Sequence, residues 1–294
     1  LDEYREQRRG GQGKAAASVK EEDLIQNLYV LSSHVQILCF TTKGKVFWLK
    51  VYEIPVASRT SKGRPLVNML NLDDDERVSE ILPVEEFSEK YFIFMATRKG
   101  ITKKTNLSLF ARKWKSGIKA INLDEDDKLI GTAITDGSKE ILLASSAGKL
   151  IRFKESKVRA MGRTARGVKG IKLKKDQRLI SLNVADSSKK VLCVSENGYG
   201  KKTELDDFPT HNRGGQGVIS IKTSERNGSM VAATLVEEDD GIMLISDKGT
   251  MIRTNVSQIP TLSRNTQGVK VITPKEGEKL MECVTIPTEE DQNE

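Results

Sequence analysis

A cation four residues before a glycine recurs along this 294-residue chain: Arg9 and Gly13, Arg59 and Gly63, Lys113 and Gly117, Arg163 and Gly167, Arg213 and Gly217, Arg264 and Gly268. Successive basic positions lie 50, 54, 50, 50 and 51 residues apart. The pentapeptide RGGQG fills this station twice, at residues 9–13 and 213–217. Its chemistry is anion binding: a basic side chain supplies charge, and glycine lets backbone N–H groups approach a phosphate with no Cβ in the way. Further cations crowd these loops at Arg8, Lys14, Lys62, Arg64, Lys115 and Arg166. The competing reading is that loop cations merely solubilise the chain.

Bond-making chemistry has little to work with. The chain holds two histidines, His34 and His211, far apart in sequence, and no nucleophile motif or Cys/His metal spacing. GGQG lacks the spacing of a nucleotide-phosphate loop. Cys39, Cys193 and Cys283 sit singly in apolar runs and read as core thiols of a reducing compartment.

The stations belong to a repeat of about fifty residues. Five segments share a layout of apolar run, x-Gly turn and basic, β-branched run: ILCFTTKGKVFWLK, IFMATRKGITKKT, ILLASSAGKLIRF, VLCVSENGYGKKT and IMLISDKGTMIRT. These read as β-hairpins. A short arm follows, then the station, then a strand-like run (PLVNML, IKAINL, VKGIKL, VISIKT, VKVIT) and a closing apolar run such as LISLNV. Four short strands per fifty residues predict an all-β, propeller-like fold. Five hairpins and six stations predict six blades, the first completed by both chain ends, with residues 280–286 lacking a partner of their own. The domain is expected to span residues 1–288, with an acidic, unstructured tail at 289–294.

Basic residues gather in the second hairpin strand (Lys45, Lys50, Lys103, Lys104, Arg152, Lys154, Lys201, Lys202 and Arg253), and acidic clusters fall at residues 73–76, 124–127 and 237–240. The expected ring therefore carries a basic band with acidic surface elsewhere. Net charge is +7 and no apolar run is long enough to cross a bilayer, so the chain favours a polyanion and excludes a membrane span. Aromatic residues are 5% of the chain, too few for extensive base-stacking platforms. No recognition helix is expected, which leaves duplex binding through phosphates without base readout. The chain starts at Leu1 with no signal-peptide pattern, pointing to a piece of a longer protein.

The stretch QRRGGQG, residues 7–13, resembles the gyrase-A box, whose family pattern is Q-R-R-G-G-K-G. The blocks GKVFWLKVYEIP, RFKESKVRAMG and RNTQGV are similar to the same family, and the resemblance runs nearly the length of the chain. It implies the C-terminal domain of the DNA gyrase A chain, a six-bladed β-pinwheel that wraps double-stranded DNA around its rim. Negative supercoiling is then performed by a parent type II topoisomerase. By that resemblance the box residues are Gln7, Arg8, Arg9, Gly10, Gly11 and Gly13, and Gln12 departs from the usual lysine, with Lys14 beside it. The DNA-binding set adds Lys14, Lys45, Arg59, Lys62, Arg64, Lys113, Lys115, Arg152, Arg163, Arg166, Arg213 and Arg264. The resemblance also implies a non-catalytic domain without cofactors, the parent's ATP and Mg acting elsewhere. It places the domain in the cytoplasm on the chromosome. The implied partners are the remaining gyrase A domains and the gyrase B subunit. Tyr4, Tyr29, Tyr52, Tyr91 and Tyr199 have no catalytic constellation about them and read as packing residues. Two alternatives stay open: the related domain of topoisomerase IV, and a propeller-type scaffold for protein partners.

Overall fold

The computed structural model describes residues 31–56 and 65–286. Gln7, Arg8, Arg9, Gly10, Gly11, Gly13, Lys14, Arg59, Lys62, Arg64 and the acidic tail lie outside the described residues. The first hairpin is β1 (Gln36–Thr41) and β2 (Lys45–Lys50), with β3 (Val78–Val84) closing its unit. The second unit is β4 (Phe92–Thr97), β5 (Ile101–Asn106), β6 (Ile118–Lys119) and β7 (Leu129–Thr135). The third is β8 (Glu140–Ser145), β9 (Lys149–Lys154), β10 (Val168–Lys169) and β11 (Leu179–Val184). The fourth is β12 (Lys190–Ser195), β13 (Tyr199–Thr203), β14 (Val218–Ile219) and β15 (Met230–Val236). The last is β16 (Gly241–Ser246), β17 (Met251–Asn255), β18 (Val269–Lys270) and β19 (Leu280–Ile286).

These strands make five small sheets: β3-β1-β2-β6, β7-β4-β5-β10, β11-β8-β9-β14, β15-β12-β13-β18 and the three-stranded β19-β16-β17. The outermost strand of each four-stranded sheet comes from the unit that follows. Val168 of β10, for example, pairs with Thr102 of β5, and Val218 of β14 with Leu150 of β9. Sequence periodicity carries no sign of this exchange, because a two-residue strand has no pattern to read.

The innermost strands neighbour one another in chain order, β3, β7, β11, β15 and β19, so the sheets fan out from a central arc. Apolar clusters fill the spaces between sheets. Leu38 and Phe40 meet Ile93, Met95 and Phe110; Phe94 meets Ile141 and Phe153; Leu192 and Val194 meet Ile242 and Leu244. Burying each such side chain is worth about 1.5–3 kcal/mol. The second strand from the axis in each sheet (β1, β4, β8, β12) is buried along nearly its whole length, which explains its unbroken apolar run.

Two expectations are corrected, and a third, the blade count, is met in part. The run LMECVTI is β19, paired with β16 throughout, and closes the fifth sheet instead of starting a shared first blade. It occupies the inner, apolar position held by β7, β11 and β15 in earlier sheets. Among the described residues there are five sheets, not six. PLVNML forms a 3-10 helix, Leu66–Asn68, in place of a strand. Pro65 precedes it with no N–H to give a ladder, and its carbonyl accepts from Asn68 N–H at 2.9 Å.

Candidate nucleic-acid interface

The second hairpin strands hold a register of inter-sheet clamps. In β2 the fourth residue, Trp48, donates its indole N–H to Phe110 O at 2.8 Å. The fourth residue of β5, Lys104, reaches Glu155 O at 3.2 Å and the Glu155 carboxylate at 3.6 Å. That of β9, Arg152, donates to Leu205 O at 3.1 Å and Phe208 O at 3.2 Å. Each acceptor lies in or beside the 3-10 turn that follows the next unit's hairpin. A charged or polar donor at this register therefore ties one sheet to its successor.

One residue earlier, Lys103 and Lys201 are fully buried. Lys103 Nζ donates to Ala120 O at 2.5 Å and to Arg163 O. Lys201 Nζ donates to Ser263 O at 2.5 Å, Arg264 O at 2.9 Å and Thr203 Oγ1 at 3.1 Å. Burial pushes both ammonium groups down, Lys103 to about 7 with help from the nearby Arg163 charge, and Lys201 to about 8. Lys103, Lys104, Lys201 and Lys202 are thus not part of an exposed basic band. They hold the next unit in place.

Successive station loops rest directly on one another. Asn122 N–H donates to Ala165 O at 3.1 Å, Lys172 N–H to Gly215 O at 2.8 Å, and Lys222 N–H to Thr266 O at 2.8 Å. Arg213 donates to Lys157 O at 2.9 Å and Lys169 O at 3.1 Å, and Arg264 to Ile219 O at 3.2 Å. The carbonyls fix each guanidinium without neutralising its charge. Because the loops carry the outermost strands, they form one continuous rail along the rim. Lys113, Lys115, Lys119, Arg166, Lys169, Lys172 and Lys222 stand exposed on it, with Arg163, Arg213, Arg264 and Lys270 half-buried among them. Two open clefts indent this region. One, of about 400 Å³, is lined by Lys154, Lys157, Thr210, His211 and Asn212. The other, of about 340 Å³, includes Lys149, Arg264 and Asn265.

Of the residues expected to bind DNA, Lys113, Lys115, Arg163, Arg166, Arg213 and Arg264 lie in these loops, and Lys119, Lys169 and Lys270, which that set did not include, lie on the strands beside them. The signal was available, since lysine is the second residue of three of the four outermost strands. Two expected contacts are otherwise engaged. Arg152 grips Glu140 at 2.6 Å as well as its two carbonyls, and is mostly buried. Lys45 pairs with Asp73 at 3.0 Å and Glu76 at 3.4 Å, and the Asp73 hydrogen bond raises its pKa.

Acidic and basic surfaces are also less segregated than expected. Asp124 forms a two-pronged pair with Arg166, which holds the Asp124 carboxyl below the usual carboxylate range. The acidic turn of one unit simply abuts the station of the next.

The station glycine has a packing reason as well as a chemical one. Gly217 has φ +71, and a Cβ there would lie 2.4 Å from Leu150 O. Gly167 and Gly268 meet the preceding hairpin in the same way. The loop must cross the previous sheet's second strand at this point, and only glycine fits.

Elsewhere, Cys39 and Cys193 are buried, with burial pushing their thiols to about 12 and about 11. No cluster of metal-binding side chains and no helix long and apolar enough to cross a membrane is present among the described residues.

The family described as the DNA gyrase C-terminal domain, beta-propeller, matches residues 1–32, 36–85, 91–136, 139–186, 189–237 and 242–286. The DNA gyrase A subunit of Salmonella typhimurium is 50% identical over 281 residues, covering 96% of this chain and 32% of its own length. That of Escherichia coli K12 is 48% identical over 293 residues, covering 99% of this chain and 34% of its own length. The chain thus spans about a third of the length of these curated relatives. A solved DNA gyrase A C-terminal domain superposes with TM-score 0.80 at 24% identity, over 97% of this chain and 94% of that one. A solved C-terminal domain of DNA topoisomerase IV superposes with TM-score 0.81 at 26% identity, over 87% of this chain and 80% of that one. With six matched segments spread along nearly all of the sequence, the chain belongs to the DNA gyrase C-terminal domain family.

Proposed function

We propose that this chain is a non-catalytic module that bends double-stranded DNA around its rim, as part of a type II topoisomerase that introduces negative supercoils. The observation that carries the reading is the continuous rail of station loops. Its cations recur from sheet to sheet along the outer edge, and two of them, Arg213 and Arg264, are anchored by carbonyls that leave their charge intact. Bending a short duplex costs about 1–6 kcal/mol, so contacts from several sheets must act together to offset it.

In this reading the ring has six blades, in keeping with the six segments that match the family, residues 1–32 among them. Among the described residues the β19-β16-β17 sheet has three strands, where every earlier sheet has a fourth, outermost strand from the unit that follows. The box residues 7–13, with Lys14, Arg59, Lys62 and Arg64, belong to the DNA-binding set in this reading. The chain itself uses no cofactor; ATP and Mg serve other parts of the parent enzyme. Its partners in the bacterial cytoplasm are the remaining gyrase A domains and the gyrase B subunit. The topoisomerase IV reading has the likeness of its solved domain in its favour. The gyrase reading is preferred because QRRGGQG keeps six of the seven box residues.

Ligation of nicked circular DNA in the presence of the chain tests wrapping. The expected product carries a shifted linking number that grows with protein. An unshifted distribution at saturating protein overturns the reading.

A further inference from the structure

One station differs from the rest. Where the third, fourth and fifth units carry Arg163-Thr164-Ala165, Arg213-Gly214-Gly215 and Arg264-Asn265-Thr266, the second carries Lys113-Trp114-Lys115. Trp114 is 46% exposed, a large apolar surface at the middle of a loop whose other residues are cations and small polar groups. Arg112 lies over its ring with the guanidinium carbon 4.6 Å from the centroid. Arg112, Lys113 and Lys115 are all exposed around it.

A second aromatic ring near the rail, on β13, is already engaged. Tyr199 is held between Arg226 at 4.8 Å and Lys270 at 4.5 Å, so two cations cover its ring. Its hydroxyl also accepts a hydrogen bond from Arg226. Among the described residues a single cation lies over Trp114. The other tryptophan, Trp48, is partly buried and spends its indole N–H on Phe110 O. Trp114 therefore offers surface and π-face that the fold does not use.

We infer that Trp114 stacks on or wedges against a base of the bound duplex, making the second station a point where the DNA is kinked and not merely held by its phosphates. The inference rests on the DNA-bending reading above and adds to it. The surrounding charge selects the occupant: three exposed cations draw in a polyanion, and among polyanions a nucleic acid also carries flat apolar faces for an indole to meet. Side chains that insert at a base step unstack it locally and bend the duplex, and the closer fit of the bent duplex to the rest of the rim offsets that cost. An aromatic stack on a base adds at least about fivefold to affinity.

The test compares wild type with Trp114→Phe and Trp114→Ala, using a 40-base-pair duplex and heparin, a polyanion without aromatic faces. The emission that wild type has and Trp114→Phe lacks reports on Trp114. That difference should be quenched at saturating duplex and nearly unchanged at saturating heparin. Trp114→Ala should weaken duplex binding about five- to tenfold, leave heparin binding within about twofold, and be largely rescued by Trp114→Phe. Equal quenching by both polyanions, or duplex affinity unaltered in Trp114→Ala, overturns the inference and leaves Trp114 as a surface for a protein partner. Failure of wild type to bind duplex at all overturns the DNA reading along with it.

Discussion

The ammonium nitrogen of Lys201 lies 2.9 Å from the backbone oxygen of Arg264, 63 residues further along the chain. A fully buried cation in one sheet thus sets the path of the next unit's station loop. Replacing Lys201 with Met keeps the stem and removes the donor, taking this partner from the Arg264 carbonyl and leaving Ser263 O with the Thr266 hydroxyl at 3.2 Å. The expected loss is about 1–3 kcal/mol of unfolding free energy, read by urea titration. Lys113→Met, at an exposed rim position, should stay within about 0.5 kcal/mol of wild type. Equal losses for the two would remove the distinction between holding and displayed lysines.

Lys103 supplies a pH signature. Its folded pKa is lowered to about 7 from an ordinary 10.5, so between those values the unfolded chain binds the extra proton. Stability therefore rises with pH across that window. The penalty for burying the charge is full below about pH 7 and gone above about pH 10.5. Wild type should gain stability relative to Lys103→Met as pH is raised from 7 to 10, by at most about 1.4 kcal/mol per pH unit for one proton. A difference, wild type minus variant, that stays flat or falls over that range would falsify the buried-cation account.

The second RGGQG string separates its glycines by role. Gly217 combines φ +71 with a carbonyl 2.4 Å from where a Cβ would sit, whereas at Gly215 the nearest atom is 3.6 Å away and φ is unexceptional. Gly217→Ala should cost at least about 1–3 kcal/mol. Gly215→Ala should be neutral or stabilising by about 0.4–1 kcal/mol. Thermal unfolding of both variants distinguishes them, and similar midpoints would show that the loop crossing is not what requires glycine.

Much of this architecture was legible. The glycine turn between two apolar runs recurs often enough to reveal the repeat, the hairpins and the stations of Arg163, Arg213 and Arg264. What was hidden follows from packing on both faces. In an ordinary half-exposed strand, neighbouring residues point alternately to core and water. Lys103 and Lys104 are neighbours on opposite faces of β5, yet both are buried, because another unit covers each face. Their basic character therefore suggested solvent where the structure has carbonyl acceptors. The exchanged outermost strands were hidden for a different reason. Ile118–Lys119 and its counterparts are too short for any periodicity, and their partners belong to the preceding unit. Likewise nothing local in LMECVTI told an inner strand awaiting β16 from an orphan awaiting the N-terminus.

The salt dependence of duplex binding tests the central claim, that the rail holds the DNA backbone, most directly. Binding of two unrelated duplexes of equal length should follow straight log–log plots against salt. Their slopes should equal several phosphates at about 0.9 each, and the two affinities should agree within about threefold. Replacing Lys119, Lys169, Lys172 and Lys222 with Ala should flatten the slope by about 0.9 for each phosphate no longer neutralised. Affinity indifferent to salt, or confined to one of the two sequences, contradicts the account.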